Sequence, residues 1–553
     1  MNFRKNRFIR TLILSILLIT TVTYSQTVFE PVHSEIYDFL ERMNENSIIE
    51  FHSEIKPISR TEIANFLITI ENKKQQLNRI DKEDLEFYKA EYFDEIRLAN
   101  NVVQENPRLE YFENGKANRF RFFSYNDRRF SFFADPVLGY SINSVDGEKV
   151  SHLWNGLKLF GYFNNDWGFY LNFRDNDESG RNIDFGKNNI PRTGVNISKQ
   201  SEENLQYTYM RGGISYTWNS GAITVGKDFF NLGSGQEGQL ILSSKAPSFP
   251  FIRFDFQPVS WLKFIYIHGW LKSNIPDSSS IRNTLVEGRI NISPISKFIA
   301  MHLISFYPND DLSISLGESI VYSNDLEPLY FIPVMFFRLA DHYLSTKESN
   351  TGDNAQLFAD VSYRIKSIRS KLYTTVFIDE LSLESLTDKN KVSSIGFTLG
   401  GTISDPVLPG SVLNIEYSRL NPFVYMNSND AHLYRNDNYQ LGHWIGSNAD
   451  IISIKYFQKI IRPVSIEVSG WYFRKGQTER PEQQYQLPYP DFLYGTRRLD
   501  KNLTVSIMYN PIHELTGKFT YSYSDINDAE EGRTPEFKLG KHNNFSVSVY
   551  YGL

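Results

Sequence analysis

The sequence predicts a mainly β protein: a large antiparallel transmembrane β-barrel of about 18 strands, in a range of roughly 16–20, behind a small N-terminal α-helical bundle. The chain ends on a strand, with Phe545, Val547, Val549, Tyr551 and Leu553 alternating with Ser546, Ser548, Tyr550 and Gly552. A greasy-faced terminal strand closes a barrel, because in lipid every backbone group must pair with another strand. The opposite end reads as an export signal. Arg4, Lys5, Arg7 and Arg10 precede an apolar run from Leu12 to Val22, and Thr23-Tyr24-Ser25 supplies a small-x-small site. Composition agrees: after Val22 no run of about 18 apolar residues occurs, yet aromatics make up 15% of the chain, with 42 Phe and 33 Tyr. Alternating lipid-facing and lumen-facing side chains reconcile a hydrophilic average with an apolar, aromatic belt.

Three regions follow: a signal peptide over 1–25, a periplasmic helical bundle over 26–105 and an outer-membrane barrel over 106–553, with its long loops outside the cell. In the bundle Ile36, Phe39, Leu40 and Met43 recur at helical spacing, as do Ile63, Phe66, Leu67 and Ile70, then Leu85, Tyr88, Tyr92 and Ile96. These spacings predict three short helices. Ser59 with Glu62 forms a capping box for the second, and Ile58 can staple to Ile63. The bundle carries no catalytic constellation and reads as a plug for the periplasmic mouth, with docking of a periplasmic or envelope-complex protein partner as the alternative.

From about Leu109 the period becomes two. Leu157, Leu159, Gly161 and Phe163 run into Asn164-Asn165-Asp166, and Trp167, Phe169, Leu171 and Phe173 run out, which predicts a hairpin. Leu503 to Tyr509 and Leu515 to Tyr523 predict the last one. Pro258-Val259-Ser260, Pro294-Ile295-Ser296, Pro463-Val464-Ser465 and Pro511-Ile512-His513 read as short periplasmic turns. The segments 175–203, 274–283, 474–494 and 525–534 are long and polar, as extracellular loops are.

Several chemistries are excluded or weakened. There is no Cys, hence no disulfide or thiolate. The chain beyond the signal holds 54 Lys and Arg against 64 Asp and Glu, a net charge near −10 and no footprint for nucleic acid. Gly233 to Gly238 matches G-x-G-x-x-G, but strand-like Leu240-Ile241-Leu242 follows where a nucleotide site needs a helix, so it reads as a glycine-rich bend folded into the barrel. Asp175, Asp177 and Glu178 lack the spacing of a calcium loop and read as a solvated acidic loop. The ten His are scattered, so no metal and no cofactor is expected, and no nucleophile elbow is present.

Two stretches interleave aromatics with planar polar side chains, a pattern suited to sugar rings and their hydroxyls. The first offers Arg338, Asp341, His342 and Tyr343 as polysaccharide ligands; the second offers Tyr425, His443, Trp444, Asn448 and Asp450. The alternative for both is an aromatic girdle beside a polar network that stiffens the barrel.

The chain resembles the Wzi-like capsule-assembly family of outer-membrane proteins in its Bacteroidetes-type form. The likeness is carried by Pro31 to Tyr37 with Lys56 to Arg60, Val225-Gly226-Lys227-Asp228, Gly238 to Ser243, His268-Gly269-Trp270-Leu271, Glu327 to Arg338, Phe377 to Leu381 and Leu441-Gly442-His443. The resemblance implies an 18-stranded barrel with an N-terminal bundle and no catalysis, a lectin-like protein holding exported capsular polysaccharide or exopolysaccharide at the cell surface among outer-membrane lipid and LPS. Two other classes stay open: an accessory barrel subunit of a secretion or assembly complex, and a porin or passive transporter.

Overall fold

The computed structural model describes residues 27–552 apart from 101, 103–105, 116–118, 146, 165, 284–289, 349–351, 381–393 and 485. The expected signal peptide over 1–25 and the terminal Leu553 lie outside the described residues.

Eighteen antiparallel strands close a barrel. They are β1 (Phe130–Val145), β2 (Glu148–Phe163), β3 (Trp167–Gly180), β4 (Asn204–Trp218), β5 (Gly221–Asp228), β6 (Phe249–Val259), β7 (Leu262–Pro276), β8 (Pro294–Asn309), β9 (Leu312–Ser323), β10 (Asn354–Ile365), β11 (Ser370–Glu380), β12 (Ser394–Ser404), β13 (Ser411–Leu420), β14 (Ala449–Ile461), β15 (Val464–Lys475), β16 (Arg498–Ile512), β17 (Leu515–Asp528) and β18 (Gly540–Tyr551). The terminal strand does close the ring, with Phe545 opposite Ser144 and Tyr551 opposite Leu138. That pairing covers only the upper part of β1. Its lower edge is taken by a hairpin, Arg108–Asn114 with Phe120–Asn126, whose Phe123 to Asn126 lie opposite Ala134 to Ser131. The first two strands after the bundle are therefore a patch on the seam, not staves of the barrel. Together the two ladders pair Ser131–Ala134 and Leu138–Ser144 of this edge, which leaves only the short stretch Asp135–Val137 between them outside either ladder.

Period two gives the wall its two faces. Leu138, Tyr140 and Ile142 on β1 and Phe545, Val547 and Val549 on β18 are exposed and point outward, whereas the intervening Ser141, Asn143, Ser546 and Ser548 point into the lumen. An apolar belt around a strand cylinder makes this a membrane-spanning barrel. The prolines at 258, 463 and 511 stand at tight turns of one rim, as expected. Pro294 does not: it opens β8 opposite Pro276, at the foot of a long loop on the other rim.

Four helices rather than three form the bundle: α1 (Ile36–Glu45), α2 (Arg60–Asn72), α3 (Arg79–Glu91) and α4 (Phe93–Ala99). Ser59 caps α2 by accepting the Glu62 N–H at 3.1 Å, and Ile58 and Ile63 join one core with Leu40, Met43, Leu67 and Leu85. The third expected helix is broken at Tyr92. Its buried ring carries the Arg60 guanidinium 4.4 Å above it, and Arg60 in turn binds Glu30, Glu91 and Glu95.

The bundle plugs the tight-turn rim. Three wall arginines reach its backbone carbonyls: Arg211 donates to Phe29 (2.8 Å), Arg253 to Pro57 (3.0 Å) and Arg364 to Asn44 and Ile49 (both 2.9 Å). A wall aspartate fixes each one, respectively Asp228, Asp255 and Asp311. Deeper in the lumen, Ile55-Lys56 of the bundle pairs with Asn231-Leu232 from the β5–β6 loop.

Candidate ligand-binding site

The lumen is divided into a dry half and a wet half. The β5–β6 loop (229–248) and the β13–β14 loop (421–448) both fold inward. Leu240, Ile241, Leu242, Tyr434 and Leu441 from these loops pack with inward Ile267, Met301 and Phe377 in one buried cluster. The glycine-rich bend lies here as the sequence suggested. Its backbone N–H groups are spent on the protein's own carboxylates: Ser234 on Asp360 (2.8 Å), and Gln236 and Glu237 on Glu416 (2.6 and 3.1 Å). Carboxylates already fill the positions where a phosphate would bind these three donors.

The second stretch of candidate ligands is the brace of this dry half. Tyr425 donates its hydroxyl to the Leu240 carbonyl (2.6 Å) and Trp444 its indole N–H to the Glu237 carbonyl (2.9 Å). His443 is wholly enclosed, and burial pushes its imidazole down to about 3. Asn448 accepts the Leu493 N–H at 2.7 Å and so joins two loops. Each of the four is buried and presents no surface to a polymer. Asp450 points the other way. Its carboxylate lies on the outer wall near the loop rim, between Arg419 and Arg474 in the ladder, and binds Arg474 and the Tyr417 hydroxyl.

The first stretch is not in the lumen at all. The β9–β10 loop folds down over the outer wall, where Pro328–Phe331 and α5 (Phe337–Glu348) cover outward residues of β7, β8 and β9. Phe337 donates its N–H to outward Glu318 at 2.6 Å, and Tyr266 donates its hydroxyl to the Tyr330 carbonyl at 2.6 Å. Arg338, His342 and Tyr343 are exposed on this strap and Asp341 is half-buried, beside exposed Val334 and Leu339. The two stretches therefore do not converge on one site.

The aromatic runs do not mark the wet half. Along β16, β17, β18 and β1 the inward positions are Ser, Thr and Asn in register: Ser506 faces Thr520, Thr520 faces Ser546 and Ser546 faces Asn143. They wall a cavity of about 1170 Å³ beneath the outer loops 181–203 and 529–539. A hydroxyl both donates and accepts, so such a wall matches the hydroxyls of a sugar. A second cavity of about 450 Å³ lies toward the plug and shares His152, Arg174, Pro191 and Arg192 with the first. The sequence signal was present in Thr504, Ser506, Thr520, Ser522, Ser546 and Ser548. Asp175, Asp177 and Glu178, expected in a loop, continue β3 and point to alternate faces. Glu178 is inside with Lys187, while Asp177 bonds Asn204 and Gln206. No cluster of His, Cys, Asp and Glu able to hold a metal occurs among the described residues.

A large plugged barrel with a hydroxyl-lined chamber under its outer loops defines the class of protein. The family model described as capsule assembly protein Wzi matches residues 112–539, and the chain belongs to that family. Among solved structures it is similar to Wzi of Escherichia coli, an outer-membrane protein involved in group 1 capsule assembly and described as a carbohydrate-binding β-barrel. That likeness has 12% identity and a TM-score of 0.57, covering 95% of this chain and all (100%) of the other. Pseudomonas aeruginosa OccD3 overlaps less, at 12% identity and TM-score 0.42 over 75% of this chain and 90% of its own. Acinetobacter baumannii OccAB1 does so at 10% and 0.42 over 76% and 95%. No curated protein matches the chain.

Proposed function

We propose that the chain is a non-enzymatic outer-membrane barrel that retains an exported polysaccharide at the cell surface, with its bundle in the periplasm. The observation that carries this reading is the pairing of a plugged mouth with a hydroxyl-lined chamber beneath the outer loops. A plug latched by three buried arginines suits holding better than flow. Weak contacts to a repeating polymer suffice, because avidity multiplies them.

Deleting the gene is expected to leave polymer synthesis intact while the polymer appears in the medium instead of on the cell. Normal retention in a clean deletion strain, with no second family member expressed, overturns the reading. The plug also bears on the porin alternative. Planar-bilayer recordings of the purified barrel are expected to be quiet, and a large steady conductance returns the case to a porin.

A further inference from the structure

We propose that Arg174 and Arg192 form an anion-binding subsite at the junction of the two lumen cavities, and that its ligand is a carboxylate-bearing sugar unit. This rests on the polysaccharide reading above and adds the charge of the sugar and the place where it is held.

Arg174 points inward from the middle of β3, with Gly156 opposite it on β2 and Tyr209 opposite it on β4. Gly156 brings no side chain to the row. The guanidinium lies 4.9 Å from the Tyr209 ring centre and 5.8 Å from the Trp154 ring centre, which flank it with apolar surface. Arg192 comes from the outer loop and borders both cavities as well. Its backbone is fixed: the buried Lys245 ammonium donates to the carbonyls of Lys187 (2.6 Å), Ile190 (3.1 Å) and Arg192 (2.8 Å).

The charges around these two groups make the contrast. Most carboxylates on the same linings are engaged by cations: Glu30 by Arg60, Glu91 by Arg119, Asp184 by Lys538, Asp500 by Arg498 and Glu514 by Arg119 and Lys158, while Glu178, which lines neither cavity, pairs with Lys187 and also feels the charge of Arg192. Glu237 and Glu467 lie beside Lys455. Among the described residues neither Arg174 nor Arg192 has an ion pair. Two like charges held at one constriction are costly in a confined space unless an anion joins them. The planar fork of arginine matches a carboxylate, the half-buried Tyr209 ring on the cavity lining suits the C–H face of a pyranose, and the hydroxyl wall above continues the contact to neighbouring units. A uronate-containing oligosaccharide fits all three features.

The test uses the full chain in detergent, with short oligogalacturonides, malto-oligosaccharides of equal length and free galacturonate as probes. The acidic oligomer is expected to bind more tightly than the neutral one, weaken with added salt and perturb the fluorescence of Trp154, a signal removed by Trp154→Phe. The double variant R174Q/R192Q is expected to lose about tenfold or more in affinity for the acidic oligomer, the scale of a charge-assisted hydrogen bond, and most of its salt dependence. Neutral-oligomer binding stays unchanged. Arg181→Gln, on an exposed loop arginine paired with Glu203, is the control and retains wild-type binding. Heat-modifiable migration of each variant verifies the barrel. Equal affinity for acidic and neutral oligomers, or an unchanged acidic affinity in a folded R174Q/R192Q, overturns the subsite while leaving polymer retention standing. Binding of free galacturonate as tight as that of the oligomer overturns a sugar-chain ligand in favour of a small-anion site. Normal retention in the deletion strain removes the reading on which the proposal rests.

Discussion

Arg364→Ala is expected to unlatch the plug while sparing the barrel. Arg364 is buried on β10 and donates to the carbonyls of Asn44 and Ile49 (both 2.9 Å), to the Asn44 side-chain oxygen (2.7 Å) and to the Asp310 carbonyl (2.9 Å), with Asp311 as its ionic partner at 2.8 Å. Truncation orphans the buried Ile49 carbonyl, at about 1–3 kcal/mol, and takes one of two donors from the Asn44 carbonyl, which keeps the Ser47 N–H at 2.9 Å. The Asn44 side chain keeps the Phe51 N–H at 3.1 Å, and Asp311 is 23% exposed and regains water. Water entering the vacated space recovers part of the loss. A net cost of about 1–3 kcal/mol results, which raises the open fraction of the plug about 5- to 150-fold. Limited proteolysis reads this as faster cleavage within residues 27–99 while the remaining barrel stays heat-modifiable. Planar bilayers read it as brief openings against a quiet wild type. A folded variant that is cleaved at the wild-type rate and stays silent refutes the latch.

Val547→Arg places a charge on the lipid face at a position 54% exposed, and is expected to cost about 2–4 kcal/mol if near the midplane, seen as a lower temperature of heat-modification. Removing hydroxyls from the wet wall with Thr520→Val and Ser546→Ala is expected to weaken polysaccharide binding about 3- to 10-fold, with the barrel's heat-modification unchanged. Glu237→Gln tests a pH-dependent term: burial raises this loop carboxyl to about 7, opposed by Lys455 and reinforced by Glu416 and Glu467. The folded state therefore holds a proton that the unfolded state has released, so wild-type stability falls as pH rises from about 4.5 to about 7. The variant escapes that loss, and it is expected to match wild type at pH 4 and to exceed it at pH 8. Gly442→Ala sets a Cβ 2.2 Å from the Tyr425 hydroxyl and 2.5 Å from the Leu240 carbonyl oxygen, and overpacking of about 1–3 kcal/mol is expected in the dry half, measured as a lowered heat-modification temperature.

The barrel was legible because its signal is local and repeated. Each strand carries its own alternation, and short turns with proline mark three of the expected corners. The seam hairpin was not legible, since Leu109 to Asn126 alternates as a stave would and only the length of β1 relative to β18 shows that another segment must cover its lower edge. The plug's place was readable from its amphipathic helices, but not the latch: Arg211, Arg253 and Arg364 look like any lumen charge until their carbonyl partners, roughly 180–320 residues away, are known. The separation of the two candidate stretches was hidden for a related reason. Interleaved aromatics and polar groups describe a sugar surface and a packed loop equally well. Tyr425, Phe423 and Asn448 hold left-handed backbones, with φ of 71°, 61° and 53°, a constraint that belongs to tight loop packing and that residue type alone does not announce.

The strap on the outer wall answers a question raised by the strands beneath it. Outward positions of a membrane barrel are expected to be apolar, yet β7, β8 and β9 turn His268, His302 and Glu318 outward. Bare in hydrocarbon they are costly. Under the strap His268 and Glu318 are buried and His302 is half-buried: His268 meets the Tyr322 hydroxyl at 2.7 Å, His302 lies 3.3 Å from Glu318, and Glu318 accepts the first N–H of α5. The exposed face of the strap then restores the belt with Ile332, Val334, Phe336 and Leu339. Glu318→Leu removes the acceptor that holds the start of α5, whereas Glu318→Gln keeps one. The leucine variant is expected to lift the strap and bring Trp270, which packs at the edge of this cluster, within reach of brominated lipid, giving quenching absent from the glutamine variant and lost with Trp270→Phe. Equal shielding of Trp270 in the leucine and glutamine variants would show that the apolar contacts alone hold the strap down and that the carboxylate is only tolerated beneath it.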